Sequence, residues 1–149
     1  MMEEKEKAWK TVSSKYLFRR PWLTVRCEDM LLPNGNHIPE YYILEYPDWV
    51  NTIAITKDGK FVFVRQYRPG LGRTSYELCA GVCDKEDASP LVSAQRELWE
   101  ETGYGKGNWQ EYMVISANPS THTNLTHCFL ATDVEPIDHQ HLEDTEDLS

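Results

Sequence analysis

The segment from Ser89 to Gly103 carries start and stop signals for a helix, and it constrains the fold more than any other part of the sequence. Ser89 is a favoured N-cap residue, and Pro90 then takes the first helical position, where no intrahelical hydrogen bond is lost. Gly103 suits the left-handed position that ends a helix. Apolar and small side chains recur at steps of three and four residues, at Leu91, Ala94, Leu98 and Thr102. The segment predicts an amphipathic helix.

The rest of the chain indicates strands joined by turns. Asn34-Gly35 and Asp58-Gly59 are hairpin signals between runs of β-branched and aromatic residues. Residues 69–75 and 118–124 are expected to be loops, and the acidic tail 135–149 shows no long periodicity. The predicted strands cover 16–32, 37–46, 51–56, 61–68, 76–81, 111–117 and 125–134. One marked helix among strands predicts a mixed α/β fold rather than a repeated βαβ winding.

Length and charge exclude several classes of function. A chain of 149 residues forms one domain by the usual size relation, and its net charge of -9 offers no basic surface for a nucleic-acid backbone. The charged N-terminus lacks the apolar run of a secretory signal, and no run approaches the about 18 residues that cross a bilayer. The cysteines lack a zinc-binding spacing. We expect a cytoplasmic protein with reduced thiols that binds neither nucleic acid nor membrane.

The last two turns of the predicted helix carry Glu97, Glu100 and Glu101 on one edge. Like charges at this spacing cost about 0.2–0.5 kcal/mol per pair, and the negative end of the helix dipole adds about 0.3–1 kcal/mol. A solvated acidic face tolerates penalties of this size. The alternative is a divalent cation where the carboxylates converge, since hard oxygen ligands suit Mg²⁺. Arg96 can pair with one carboxylate and hold the others in position.

The wider pattern favours the metal interpretation. Residues 81–104, "GVCDKEDASPLVSAQRELWEETGY", resemble the Nudix box, Gly-x5-Glu-x7-Arg-Glu-U-x-Glu-Glu-x-Gly-U, where U is a bulky apolar residue. The match is close from Arg96 to Tyr104, although tyrosine fits the final U loosely. Fourteen residues separate Gly81 from Arg96 where the pattern has thirteen. Asp87 therefore stands at the place of the first glutamate, beside Glu86, and the sequence leaves open which acid contacts the helix.

The resemblance extends beyond the box. The segments "VNTIAIT", "VRQYR", "YELCAG" and "NPSTHTNLTHCFLA" follow the order found in Nudix hydrolases that act on ADP-ribose and nucleotide sugars. It implies an α/β/α sandwich with a mixed sheet and a loop–helix–loop catalytic motif, preceded by an N-terminal antiparallel β-hairpin region. Residues 1–48 would form that β region, for dimerisation and the substrate pocket. Residues 49–149 would form the catalytic domain, one compact unit that ends earlier than in relatives.

The resemblance also implies roles for the box residues. Glu97 and Glu101 would bind Mg²⁺, with Mn²⁺ as the alternative, and the carbonyl of Ala80 would complete the metal shell. Glu100 and Arg96 would assist catalysis. The base that activates water often comes from an acidic C-terminal loop in nucleotide-sugar members. The loop here is "LEDTED", where Glu146 matches best and Glu143 and Asp144 are rivals; a merely solvated tail is the alternative.

The substrate contacts implied by the resemblance lie outside the box. Arg68 resembles an arginine that contacts the diphosphate, Glu77 lies near the metal-linked pocket, and Trp22 falls where family dimers stack an aromatic ring on the nucleobase. Each has a structural alternative, a surface salt bridge or ordinary packing. His122 and His127 could reach the substrate, although histidines in such positions are more often structural.

Together these features predict Mg²⁺-dependent hydrolysis of the phosphoanhydride in a nucleoside diphosphate joined to another moiety, ADP-ribose or a nucleotide sugar. The enzyme would be a homodimer built through residues 16–50. The alternative function is a Nudix-fold sensor that binds such a nucleotide without cleaving it. Sensors of that kind usually lose box acids and carry a DNA-binding domain, whereas this chain keeps the acids and Arg96. The catalytic interpretation is therefore favoured.

Overall fold

The computed structural model describes residues 7–142, 144 and 147–149. The chain divides into two compact units. The hairpin unit comprises Met1–Tyr46 and Ser116–Asn124, and the helix unit comprises Pro47–Ile115 and Leu125–Ser149. Within the described residues, no helix combines the length and the apolar character needed to span a membrane.

The hairpin unit is a three-stranded antiparallel sheet of β1 (Lys10–Arg20), β2 (Leu23–Leu31) and β3 (His37–Glu45), with β2 in the middle. The prediction of one strand over 16–32 is wrong at its centre, because the chain turns at Pro21 and Trp22. Proline has a fixed φ and no N–H to donate to a ladder, so it suits a turn between strands better than a strand interior.

The turn between β2 and β3 confirms the predicted Asn-Gly hairpin. Gly35 has a φ of 86°, and its amide donates to the Leu32 carbonyl over 2.9 Å.

The segment 116–124 forms backbone hydrogen bonds with β3, which is an edge strand of this sheet. The Leu44 amide donates to the Thr121 carbonyl over 2.8 Å, and the Thr123 amide donates to the Leu44 carbonyl over 3.1 Å. Residues far apart in sequence thus complete this unit.

The helix unit contains a six-stranded mixed sheet and a separate two-stranded ribbon. The strands are β4 (Trp49–Thr56), β5 (Phe61–Val62), β6 (Val64–Arg68), β7 (Arg73–Glu77), β8 (Cys79–Val82), β9 (Tyr104–Gly105), β10 (Asn108–Ile115) and β11 (Thr126–Pro136). The path β10-β11-β4-β5 forms the main sheet, β8 pairs with β4, and β9 pairs with β11. The β11–β4 ladder is parallel and the other ladders are antiparallel. The ribbon pairs β6 with β7.

Two of the predicted strands in this unit are divided where the pairing partner changes, and one predicted loop is shorter than expected. Residues 61–68 split at Phe63, since β5 pairs with β4 whereas β6 pairs with β7. Residues 76–81 split at Leu78, where the chain leaves β7 for β8. The expected loop 69–75 shortens to a turn with Gly72 at a φ of 64°, because Arg73 already pairs with Arg68.

The helix α1 (Pro90–Thr102) confirms the predicted helix and both of its ends. The Ser89 hydroxyl accepts a hydrogen bond from the Val92 amide over 3.3 Å, and Gly103 is left-handed with a φ of 72°. Ala94 and Leu98 are fully buried. Burying a leucine side chain of this kind stabilises the fold by about 1.5–3 kcal/mol. The mixed α/β architecture expected from the sequence is confirmed.

The apolar core of the helix unit lies between α1 and the sheet, and the chain end reaches it. Leu148 is 7% exposed within the cluster formed around Leu98. The Arg65 amide donates to the Ser149 carbonyl over 2.7 Å, and the Ser149 amide returns a bond of 3.2 Å to the Arg65 carbonyl. The acidic tail shows no periodicity that predicts this contact. The other members of the cluster are Ala54, Val62, Val64, Cys79, Ala131 and Val134.

Candidate active site

Arg96 organises the carboxylates of α1. Its guanidinium donates to Glu97 Oε1 over 3.0 Å, to Glu100 Oε2 over 2.9 Å and to Asp87 Oδ2 over 3.0 and 3.1 Å. It also donates to the Val82 carbonyl over 3.1 Å. Burial lowers the pKa of Arg96, but hydrogen bonds to Asp87 and Glu100 outweigh burial and raise it overall. Arg96 is a permanent cation that fixes the positions of three acids.

Asp87 is the acid that contacts the helix. Besides Arg96, its Oδ2 accepts a hydrogen bond of 2.8 Å from the hydroxyl of Ser93, which is fully buried on α1. That bond and the Arg96 contacts hold the pKa of Asp87 below its usual range. Glu86 is exposed. The choice left open by the sequence is thereby settled for Asp87, and the extra residue lies in the loop before the helix.

Glu101 lies against β8 and is 5% exposed. The Ala80 amide donates to its Oε2 over 3.2 Å. Burial first, and then the charge of Glu101, raise the pKa of the Cys79 thiol, so this cysteine stays neutral. The structure therefore brings Ala80 and Glu101 together through the amide of Ala80. The metal contact expected for its carbonyl stays a prediction.

Gly81 allows Glu97 to approach β8 closely. A Cβ at this position would overlap the Glu97 carboxylate, so any other residue would push the side chain away. Glycine at this position therefore leaves room for the Glu97 carboxylate beside the backbone. Since Gly81 and Ala80 are neighbours, Glu97 and Glu101 meet the same short stretch of backbone.

The donor set fits a hard divalent cation. Glu97, Glu100 and Glu101 supply carboxylate oxygens from one edge of a rigid helix, and the side chains of Glu97 and Glu100 are 13% and 31% exposed. A single guanidinium is shared by Asp84, Asp87, Glu97 and Glu100. Oxygen ligands of this kind suit Mg²⁺ or Mn²⁺, which keep open positions for water and phosphate oxygens.

Arg68 and Glu77, which are predicted to contact the substrate, stand at opposite ends of the β6–β7 ribbon, Arg68 across from Arg73 and Glu77 across from Val64, and their side chains meet along it. Arg68 donates to both carboxylate oxygens of Glu77 over 2.8–3.1 Å, and the Ser75 hydroxyl adds a bond of 2.9 Å. The Arg68 bond is the main reason that the pKa of Glu77 is lowered. The pair is preorganised, and its contact with substrate stays a prediction.

The remaining predicted residues are not brought to the carboxylate cluster by the described contacts. Trp22 lies in the β1–β2 turn and is 73% exposed. His122 packs on Tyr46 with ring centroids 5.3 Å apart, and His127 Nδ1 lies 2.7 Å from Glu111 Oε1. These histidine contacts are structural. Glu146 and Glu143, the leading candidates for the base, lie outside the described residues.

Ser93 is a part of the site that was not predicted from the sequence. The signal was present, because Ser93 precedes Arg96 by three residues and therefore lies on the same helix face. A small hydroxyl on that face, between the loop acid and the arginine, is the feature that would have indicated a hydrogen-bonding partner.

Comparison with known proteins agrees with this geometry. Residues 46–149 match the family profile described as NUDIX domain, and residues 9–44 match one described as nucleoside diphosphate sugar hydrolase N-terminal domain. The chain belongs to the NUDIX family. It is 32% identical to an ADP-ribose pyrophosphatase of Bacillus subtilis, over 87% of this chain and 69% of the relative. It is 33% identical to a methanol dehydrogenase activator of Bacillus methanolicus, over 82% and 65%.

A solved structure shows the same fold. The chain superposes with a TM-score of 0.81 on the structure titled "Crystal structure of ADP compounds hydrolase", at 23% identity, covering 95% of this chain and 75% of the other. The predicted family and fold are confirmed, and so is the predicted class of enzyme, a Nudix-type pyrophosphohydrolase.

Proposed function

We propose that this chain hydrolyses the phosphoanhydride of a nucleoside diphosphate joined to another moiety, with ADP-ribose as the first candidate substrate. The observation that carries the proposal is the set of helix carboxylates held by Arg96 and Asp87 beside the backbone of Ala80 and Gly81. The names of the relatives, an ADP-ribose pyrophosphatase and an ADP compounds hydrolase, support the choice of substrate.

The residues of the site are arranged to position a cation before substrate arrives. Glu97 and Glu101 would hold Mg²⁺ or Mn²⁺, which when bound would neutralise the diphosphate and orient the attacking water. Arg96 holds Glu97 and Glu100, Asp87 holds Arg96, and the Ala80 amide holds Glu101. Side chains locked in this way need no reorganisation during the reaction, which is the main source of electrostatic catalysis.

The base is assigned to the C-terminal acidic loop. Carboxylates committed to a cation accept protons poorly, so a separate acid is needed to take a proton from water. Glu146 is our candidate, with Glu143 and Asp144 as rivals on the same loop. Arg68, supported by Glu77, would bind the diphosphate, because a guanidinium fork matches the geometry of phosphate oxygens.

The carboxylates of the site favour a hydrolase over a sensor that binds the nucleotide without cleaving it. A sensor needs affinity for the nucleotide but gains nothing from carboxylates on a metal-binding edge. This chain retains Glu97, Glu100 and Glu101, and it holds two of them by direct bonds to Arg96. Carboxylates fixed in this way favour hydrolysis, because the rate of such a reaction depends on where the charges are placed.

We also propose that the N-terminal β region, residues 1–48, forms a homodimer in which Trp22 contributes to the partner's nucleobase pocket. Large apolar side chains lie exposed on β1 and its turn, including Leu17, Phe18, Trp22 and Leu23. Patches of this kind on a protein surface mark interaction sites.

The four cysteines are free thiols, which supports the reducing cytoplasm as the compartment.

A substrate panel tests the proposed function. ADP-ribose, GDP-mannose, NADH and a nucleoside triphosphate would be incubated with Mg²⁺, and release of nucleoside monophosphate would be measured. We expect the highest kcat/KM for ADP-ribose, and no comparable release by Glu101→Gln. Binding of ADP-ribose without release of AMP, at saturating Mg²⁺ or Mn²⁺, would instead support the sensor.

A further inference from the structure

A second group of side chains of the types that ligate metals follows β11, and none of them is assigned to hydrolysis. Asp138 Oδ1 lies 2.7 Å from His139 Nδ1, and Asp138 Oδ2 lies 3.0 Å from His141 Nε2. One ligand atom from each of the three side chains lies within 4.8 Å of the others, and the two imidazole rings are 4.4 Å apart. The sequence "DHQH" supplies all three ligands from one short loop.

The loop is tied to the C-terminal end of α1. The His141 amide donates to the Glu100 carbonyl over 2.8 Å, and the Gln140 side chain donates to the Glu101 carbonyl over 2.7 Å. The Asp138 amide donates to the Gly103 carbonyl over 3.1 Å. These bonds satisfy carbonyls that a helix end leaves unpaired. The ligands therefore stand on a rigid element.

Packing holds one ligand in a fixed orientation. The His141 ring stacks on Trp99 of α1 with centroids 4.2 Å apart and an interplanar angle of 29°. The close approach of loop and helix also requires Gly103, because a Cβ there would overlap the Asp138 carbonyl. A ring held on one face keeps a nitrogen directed at Asp138 at little entropic cost.

The chemistry of the cluster differs from that of the carboxylate cluster on α1. Two imidazoles and one carboxylate are borderline ligands that suit Zn²⁺, Ni²⁺, Cu²⁺ or Fe²⁺, whereas Mg²⁺ takes oxygen ligands. In tetrahedral zinc sites the ligand atoms stand about 3.3 Å apart, as follows from metal–ligand distances of about 2.0–2.1 Å. A bound metal ion would take the place of the direct contacts between the carboxylate and the rings.

Electrostatics also favour a cation here. The last turn of a helix carries partial negative charge, and the chain as a whole has a net charge of -9. The last turn of α1 contains no basic residue. A bound divalent ion would supply positive charge at a helix end where the side chains supply none.

We propose that Asp138, His139 and His141 form a binding site for one transition-metal ion of the Zn²⁺ type, independent of the Mg²⁺ site expected on the helix carboxylates. The ion would brace the loop 137–141, which hydrogen bonds already hold at the end of α1. Its binding does not require that the chain hydrolyse any nucleotide, so the two proposals fail separately.

The test is a calorimetric titration of the full-length, tag-free chain with Zn²⁺ at neutral pH in excess Mg²⁺. We expect one Zn²⁺ per chain in the wild type, and the same in Glu101→Gln. In His139→Ala the affinity should fall by more than about tenfold, since losing even a residue that supports a metal ligand costs about 10–100-fold. The matched control is His37→Ala, which removes an exposed histidine that pairs with a single aspartate, Asp29, and should leave binding unchanged.

His139 is the preferred variant because its side chain is 80% exposed and its contacts within the described part of the chain are with Asp138 and His141, so the fold should survive its loss. A second measurement uses Co²⁺ in place of Zn²⁺ and follows its visible absorption, which imidazole ligands shift and intensify. The proposal is overturned if the wild type binds no Zn²⁺ in excess Mg²⁺, if His139→Ala binds as tightly as the wild type, or if Glu101→Gln abolishes binding.

Discussion

The two units of this protein each contain an arginine that gathers carboxylates, but the two networks differ in composition and surroundings. In the hairpin unit, Arg26 serves Glu28 and Glu45, with Arg26 Nε 2.6 Å from Glu28 Oε1. Glu28 is 7% exposed and also accepts bonds from the hydroxyls of Thr11 and Ser14. In the helix unit, one guanidinium is shared by four carboxylates.

The surroundings explain the difference. Among the described residues of the hairpin unit, the two buried ones are Glu28 and Asn124, both polar, and its large apolar side chains are half-buried or exposed. The helix unit buries an apolar cluster around Leu98. A saturated polar network in the hairpin unit therefore holds strands together. In the helix unit the apolar core holds the helix and the strands together, so the acids of α1 are available for chemistry.

The variant with the largest expected effect tests whether hydrolysis requires the acidic C-terminal loop of the helix unit. Glu146→Gln should lower kcat by about 10²–10⁴-fold, the usual range for a lost general base. KM and metal affinity should change far less, because Glu97 and Glu101 remain. Steady-state kinetics with ADP-ribose would measure both. Glu143→Gln is the matched control, and a crippled Glu143→Gln beside a near-silent Glu146→Gln would show that the base is misassigned.

The next variant acts on the carboxylate cluster itself. Glu101→Gln should reduce turnover by about 100-fold or more while the fold and its melting temperature change little, because a charged ligand is removed in a nearly isosteric exchange. Turnover at saturating Mg²⁺ and a thermal melt would be recorded on the same preparation. Retention of more than half of the wild-type rate would exclude Glu101 as a metal ligand.

A glutamate-to-glutamine exchange in the hairpin unit should lower stability and leave turnover intact. Glu28→Gln should lower the free energy of unfolding by about 1–3 kcal/mol, because it disrupts buried charge-assisted hydrogen bonds, and should leave Mg²⁺-dependent turnover per folded molecule intact. Denaturant titration would measure the stability. A variant as stable as the wild type would show that the Arg26 network has no structural importance.

The lowered pKa of Glu28 predicts the direction in which stability changes with pH. Burial raises the pKa of Glu28, but hydrogen bonds from Arg26 and Thr11 outweigh it, so the folded pKa lies below the usual value. A depressed folded pKa stabilises the native state above the unfolded pKa of about 4.3, and this contribution is lost as pH falls through the folded pKa. Stability of the wild type should therefore decline more steeply below about pH 4 than that of Glu28→Gln.

The smallest expected effect concerns the exposed apolar face of the hairpin unit. Trp22→Ala should weaken the proposed dimer by about tenfold or more, the effect expected of a buried aromatic anchor at an interface. Light scattering over a micromolar dilution series would measure it. Tyr76→Ala is the control, since Tyr76 is equally exposed at 74% but lies in the helix unit. A monomeric wild type at micromolar concentration would rule out the dimer.

Local signals in the sequence were enough for the helix, its two ends and the Asn-Gly hairpin. Ser89, Pro90 and Gly103 act through their own backbone and the nearest turn, so no distant residue can alter what they favour. The spacing of Arg96, Glu97, Glu100 and Glu101 likewise places those side chains on one edge of any helix that forms. The class of enzyme followed from the resemblance of this pattern to the Nudix box.

Other features depended on contacts between residues far apart in the chain. The strands broke at Leu78 and Phe63 because pairing partners changed there, and no local propensity records which strand will be a neighbour. Asp87 rather than Glu86 faces Arg96 because of how the loop meets the helix, and Leu148 is buried because the chain end returns to β6. Likewise, the loop of His139 and His141 lies at the end of α1 through backbone bonds spanning about forty residues of sequence, where local periodicity carries no information.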